Sequence, residues 1–153
     1  MKPRSIVIAL IALAVAVGGY LFYKDNEFRR THGQVTEVSL FNFDQEVNAE
    51  KDAKPVLIYF YRQKDGAPVD VEQLKVVKDF AWRTAGDVKV VAVNCSHLEN
   101  IPLAIAHGAL RYPAFVIIYG DDKKSGADGQ FTSLDELNRL HDLIEDEAVK
   151  KIP

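Results

Sequence analysis

The chain has 153 residues and a mass of 17.1 kDa, the size of one ordinary domain with a little to spare. With 48% hydrophobic and 27% charged residues it can build a packed core, and disorder along its whole length is excluded. Nineteen Lys+Arg against 22 Asp+Glu give a net charge of −3, which argues against a general nucleic-acid binder. The single cysteine, Cys95, excludes an intrachain disulfide, a Cys-rich zinc site and any redox mechanism built on a Cys-x-x-Cys pair within the chain.

Residues 5–23 (SIVIALIALAVAVGGYLFY) form an uncharged run. As a helix it spans roughly 28 Å, close to the hydrocarbon thickness of a bilayer. Two readings compete. A cleavable signal peptide would use Ala16-Val17-Gly18 as its small-residue site. An uncleaved anchor better explains why the run continues through Tyr20-Leu21-Phe22-Tyr23, aromatics suited to a membrane interface. A buried core helix is disfavoured because the run has no polar face. Lys2 and Arg4 precede it and Lys24, Arg29 and Arg30 follow, so flanking charge nearly ties on orientation. The short tail and C-terminal domain have the layout of a signal anchor, with a single-pass membrane location and the domain outside the cytoplasm. The expected organisation is an anchor over residues 1–23, a polar tether over 24–33 and one domain over 34–150.

Along the domain, Val35, Val38 and Leu40 predict a short strand. Asn42-Phe43-Asp44-Gln45 resembles a capping box opening a short helix, with Phe43 and Val47 on one face. Val56 to Tyr61 is an unbroken apolar and aromatic run, the pattern of a strand covered on both faces. Residues 62–70 form a loop marked by Gly66 and Pro68. A helix follows from about Val69 to Ala85, with Val71, Leu74, Val77 and Phe80 on its stripe and Gly86 as its stop. Val88 to Val93 is a second buried strand. Ser96-His97-Leu98-Glu99 suggests another capping box, with Pro102 early in a helix that ends at Gly108. Ala114 to Tyr119 is a third apolar strand. Residues 120–129 (GDDKKSGADG) predict a turn leading to a short strand near Gln130-Phe131, and Ser133 opens a closing helix with Leu134, Leu137, Leu140 and Ile144 on its stripe. The order β-α-β-α-β-α-β-β-α describes a three-layer α/β/α domain with a mixed sheet.

Three segments carry a resemblance to the thioredoxin-like superfamily. Lys54 to Tyr61 resembles the strand that leads into that family's active-site loop, Asn100 to Gly108 its third helix and glycine stop, and Tyr112-Pro113-Ala114-Phe115 its cis-proline and following strand. The resemblance covers roughly residues 35–144. It implies a thioredoxin fold, a cis Tyr112-Pro113 bond, and a loop there that presents main-chain groups to an extended peptide. The redox chemistry does not carry over. Where the family has Trp-Cys-Gly-Pro-Cys, this chain has Lys64-Asp65-Gly66-Ala67-Pro68-Val69-Asp70, and carboxylates cannot exchange disulfides. Tyr59 stands where the family keeps a buried aspartate, and Tyr61 where it keeps a tryptophan.

The candidate binding residues are therefore Tyr112 and Pro113 of the cis-proline loop and Asp65, Gly66, Ala67 and Pro68 of the former redox loop. No catalytic residue, cofactor or metal is expected. Cys95 reads as packing material; the alternative is a reactive monothiol. Cys95, His97 and His107 could in principle supply metal ligands, and Asp65 with Asp70 an acid–base pair, but solvated histidines and ordinary loop aspartates explain them more simply. The function expected is a membrane-anchored, redox-inactive adaptor or assembly module for a protein or extended peptide. The alternative is an oxidoreductase that joins Cys95 to a partner's thiol.

Overall fold

The structure is a computed structural model that describes residues 3–63, 70–120, 123–128 and positions 135, 136, 138, 139 and 142. Side chains are described from Leu10 on, those of residues 123–128 excepted. Five strands form one sheet in the order β1-β3-β2-β4-β5: β1 (Val35–Val38), β2 (Val56–Tyr61), β3 (Lys89–Asn94), β4 (Ala114–Tyr119) and β5 (Lys123–Asp128). β1, β3 and β2 are mutually parallel, whereas β4 runs antiparallel to β2 and to β5.

The three apolar runs become the three inner strands because both of their faces are covered. On one face Leu57, Tyr59, Val90, Ala92, Phe115 and Ile117 pack under Val77, Phe80 and Ala81 of α2 (Val71–Arg83). On the other, Ile58, Phe60, Val91, Val93 and Val116 pack under Leu103 and Ala104 of α3 (Ile101–Ala106) and against Phe43 and Val47. Phe43 and Val47 thus share a buried face as their spacing predicts. Gly86 (φ 90°) and Gly108 (φ 77°) close α2 and α3 in the left-handed region that glycine enters without steric cost.

Several local expectations are corrected. Asn42 caps no helix: its Oδ1 accepts from Ser39 N at 2.8 Å and Ser39 Oγ at 3.1 Å, and the chain continues into a π-helical turn, Asp44–Asn48. Ser96 is drawn away from its cap by a loop 33 residues upstream, so Leu98–Asn100 forms a 3₁₀ turn without a side-chain cap. α2 begins at Val71, since Asp70 accepts from Gln73 N at 3.0 Å and takes the cap. Val71 consequently points outward, 69% exposed, and Gln73 is buried in its turn of the helix. β4, the third apolar strand, finds its hairpin partner at Lys123–Asp128, inside the segment expected to be turn. Gly120, at φ 62°, bends the chain immediately after β4 and brings that polar segment alongside it. A polar, lysine-bearing segment suits a sheet edge. Positions 135, 136, 138, 139 and 142 are helical, where the closing helix is expected; its apolar stripe lies outside the described residues.

The apolar N-terminal run and the polar residues after it form one helix, α1 (Pro3–His32). The expected tether is therefore helical to His32. Local pairs explain this: Arg29 Nε bonds Asp25 at 2.9 Å, and Arg29 Nη1 donates to the α2 carbonyls of Trp82 (3.0 Å) and Arg83 (3.3 Å). Phe28 lies over Gly86, where an added Cβ would come within 2.7 Å of its ring. Among the described residues no helix is long and apolar enough to cross a membrane. Leu10 to Tyr23 are all exposed.

Candidate functional site

The cis-proline loop grows out of the glycine stop of α3. Ala109 N bonds back to Ala104 O at 2.8 Å, Leu110 and Arg111 turn outward, and the Tyr112-Pro113 bond is cis, as the resemblance implies. Tyr112 packs half-buried on the core cluster that contains Cys95.

Cys95 follows the last residue of β3. Its amide extends the ladder by donating to Tyr61 O at 2.7 Å, and its side chain is fully buried. Burial pushes the thiol above its ordinary range, outweighing the Tyr112 hydrogen bond and the Arg62 charge, which pull it down. The Tyr112 phenol rises to about 12, first through burial and then through its contact with Cys95. Burial thus disfavours the thiolate beneath the cis-proline loop. As it stands the thiol is a poor nucleophile.

The four loop positions Asp65, Gly66, Ala67 and Pro68 lie outside the described residues, but the flanks of their loop are described. At one end Ser96 Oγ accepts from Gln63 N at 2.8 Å and donates to Gln63 O at 2.7 Å. At the other, Asp70 is the cap of α2. A serine that looks like a helix cap therefore pins the exit of β2, and a loop carboxylate serves the backbone rather than acid–base chemistry. Among the described residues no three His, Cys, Asp or Glu side chains gather as for a metal. His107 lies against Phe43, ring centroids 5.0 Å apart, with Nδ1 at 2.9 Å from Leu103 O.

A second locality has no counterpart in the sequence expectations. At the C-terminal ends of β1, β3 and β2 opens a cleft of about 450 Å³ lined by Glu37, Ser39, Asn42, Tyr61, Asn94 and His97, among others. Parallel register sets Tyr61 opposite Asn94 and Glu37 opposite Ala92, so Glu37, Tyr61 and Asn94 share one sheet face. Tyr61 Oη donates to Glu37 Oε1 at 3.1 Å, and Asn94 donates in turn to the Tyr61 oxygen. Tyr61 stacks on Tyr59 (5.3 Å between centroids), and Tyr59 on Phe115 (5.0 Å). Loss of hydration lifts the Glu37 carboxyl above its ordinary value, partly offset by the Tyr61 hydrogen bond. The Tyr61 phenol rises to about 12, through burial first and then the Glu37 charge. Buried Asn100 props the rim: its Oδ1 accepts from Leu40 N at 2.9 Å and its Nδ2 donates to Asn94 O at 2.9 Å. The one signal in the sequence is Glu37 itself, a charge inside a strand.

Solved structures share this architecture. Thioredoxin f2, determined in complex with ferredoxin:thioredoxin reductase, is 30% identical, with 74% of this chain and 96% of that one covered and a TM-score of 0.59. The long form of thioredoxin f from spinach chloroplast is 25% identical, over 78% and 93% of the two chains, with a TM-score of 0.61. Chloroplastic thioredoxin z, 16% identical over 71% and 96% with a TM-score of 0.55, shares the fold. No protein-family model matches the chain. No curated protein matches it. On the f2 likeness, together with the cis-proline loop and the sheet order, the chain belongs to the thioredoxin-like superfamily.

Proposed function

We propose that this chain is a membrane-anchored, thioredoxin-like protein-binding module that carries out no thiol–disulfide exchange. The observation that carries this reading is the single thiol: Cys95 is fully buried and the sequence supplies no second cysteine to resolve a mixed disulfide. The domain keeps its cis-proline loop, with Tyr112, Pro113 and the former redox loop at Asp65, Gly66, Ala67 and Pro68 as the face for an extended protein segment. That thioredoxin f2 was solved in complex with a protein partner supports a protein as the ligand of this fold. The anchor rests on the apolar run at residues 5–23 and on the outward-facing side chains from Leu10 to Tyr23, which in an aqueous setting would lack cover. This reading has the domain outside the cytoplasm.

Two measurements test the reading. Purified protein should reduce insulin disulfides with dithiothreitol no faster than the reagent alone; turnover that disappears in Cys95→Ser would favour an oxidoreductase using a partner's thiol. The full chain should stay with membranes through a carbonate wash at high pH, whereas release of a product starting near Gly19 would identify a cleaved signal.

A further inference from the structure

We propose that the cleft at the C-terminal ends of β1, β3 and β2 receives a basic side chain, arginine or lysine, from a protein segment, with Glu37 as its counter-charge. This inference extends the protein-binding reading to a second contact area, distinct from the cis-proline loop. Three features of the cleft carry it.

The first is position. The connection leaving β2 passes through α2 on one face of the sheet, and the one leaving β3 passes through α3 on the other. The ends of these adjacent strands therefore part at a topological switch point, where open α/β sheets form crevices for ligands. Tyr61 and Asn94 are the paired residues at that point.

The second is charge. The relay Asn94 to Tyr61 to Glu37 is directional: each donor is turned toward the next acceptor, and the sequence ends on a carboxylate. Ser39, Asn42, Tyr61, Asn94 and His97 share the cleft with Glu37, and among the described residues no lysine or arginine pairs with it. Glu37 Oε1 accepts from Tyr61, and a carboxylate has room for further donors. A guanidinium or ammonium supplies those donors and the missing charge, and the half-buried Tyr61 ring, which lines the cleft, offers an aromatic surface beside it. An anionic ligand would meet the carboxylate unfavourably.

The third is the rim. Leu40, Phe41 and Leu98 are chain neighbours of the lining residues Ser39, Asn42 and His97, and all three are exposed, Phe41 to 84% and Leu98 to 73%. Asn100 holds the Leu40 backbone in place. Exposed apolar residues next in the chain to the cleft's lining match a basic residue flanked by apolar ones, as a polypeptide carries them; a free amine would leave these side chains uncovered.

The test uses the full chain in detergent micelles at pH about 8. The probe is a capped, fluorescent pentapeptide of one arginine between leucines, with a control in which citrulline replaces arginine. Saturable binding is expected, weakened about tenfold or more in the citrulline peptide and in Glu37→Gln, which keeps an acceptor for Tyr61 but removes the charge. Amide shifts should move at residues 37–42, 94 and 97–100. Equal binding of the two peptides, shifts confined to residues 110–113, or methylguanidinium binding as tightly as the peptide would each overturn the inference. Tyr112→Ala separates this from the broader reading. Loss of partner capture with unchanged arginine binding would show two independent areas; unchanged capture in Tyr112→Ala with loss in Glu37→Gln would retain the cleft and remove the cis-proline face.

Discussion

Cys95 and Asn94 are adjacent in sequence, yet they belong to localities of opposite character. Asn94 faces the same side of the sheet as Tyr61 and Glu37 and joins an open, polar cleft. Cys95 is buried in the core cluster of the other face, beneath Tyr112. Both are held by the same ladder, since Tyr61 pairs with Asn94 and its carbonyl accepts the Cys95 amide. One step along a strand reverses the face a side chain serves, and here it separates a shielded thiol from a directional relay that ends on a carboxylate. The comparison teaches that chemistry at the ends of these strands is set by register as much as by residue type.

The largest way to break that comparison is to remove what the two localities share. Phe115 follows the cis-proline segment by two residues and stacks under Tyr59, which supports Tyr61. It is fully buried. Phe115→Ala should cost about 3–5 kcal/mol in denaturant unfolding, and amides near Tyr112 and near Tyr61 should lose exchange protection together. A cost below about 1 kcal/mol, or loss at one locality alone, would show that the stack does not join them.

Next in size is the thiol. Cys95→Ser places a hydroxyl where a thiol is fully buried, and should cost about 1–3 kcal/mol. Native alkylation of Cys95 should be slow and should accelerate only with denaturant. Rapid alkylation of the folded protein near neutral pH would erase the contrast between a shielded thiol and an open, polar cleft.

What the sequence discloses about these regions follows the same division. The apolar runs at 56–61 and 114–119 and the glycines at 86 and 108 announce strands and helix stops because their causes are local: covered faces need continuous hydrophobicity, and left-handed backbone favours glycine. Tyr112-Pro113 was legible through its family setting. The cleft was not, since Glu37 meets Tyr61 across 24 residues, by way of the strand between them. Ser96 and Asn42 misled for a related reason: each has the composition of a helix cap, and each bonds elsewhere once the tertiary structure or an adjacent turn offers a partner. β5 hid because an edge strand tolerates a polar sequence; only pairing with β4 defines it.

A smaller effect separates the phenols. Tyr61→Phe removes the bond to Glu37 and should cost about 0.5–1.5 kcal/mol. Stability of the parent protein should also fall at alkaline pH. The Cys95, Tyr61 and Tyr112 acids are all raised in the folded state, the two phenols from 10.0 to about 12. The unfolded chain therefore releases these protons first, and stability declines from the ordinary thiol range upward through the phenol range to about pH 12. Cys95→Ala should remove the earliest part of the decline and Tyr61→Phe part of the later one. Denaturant midpoints measured from neutral to alkaline pH decide between them.

The smallest expected effect is also the sharpest on the cleft alone. The Glu37 carboxyl is raised above the ordinary carboxylate range by lost hydration, more than its Tyr61 bond lowers it. Between the unfolded and folded pKa the native state binds the extra proton, so this group's contribution favours folding at low pH and is lost as pH rises through that window. Most ion-paired carboxylates behave in the reverse sense, because pairing lowers their pKa. Since Glu37 is exposed, the effect should stay within about 0.5 kcal/mol, the surface range. Glu37→Gln should therefore leave the neutral midpoint nearly unchanged while making the acid limb of the stability curve fall slightly more steeply, because a group that gained stability on acidification has gone. A shallower acid limb in Glu37→Gln would mean that the carboxylate already has a cation in the free protein, and the cleft would then be a closed ion pair instead of an open acceptor.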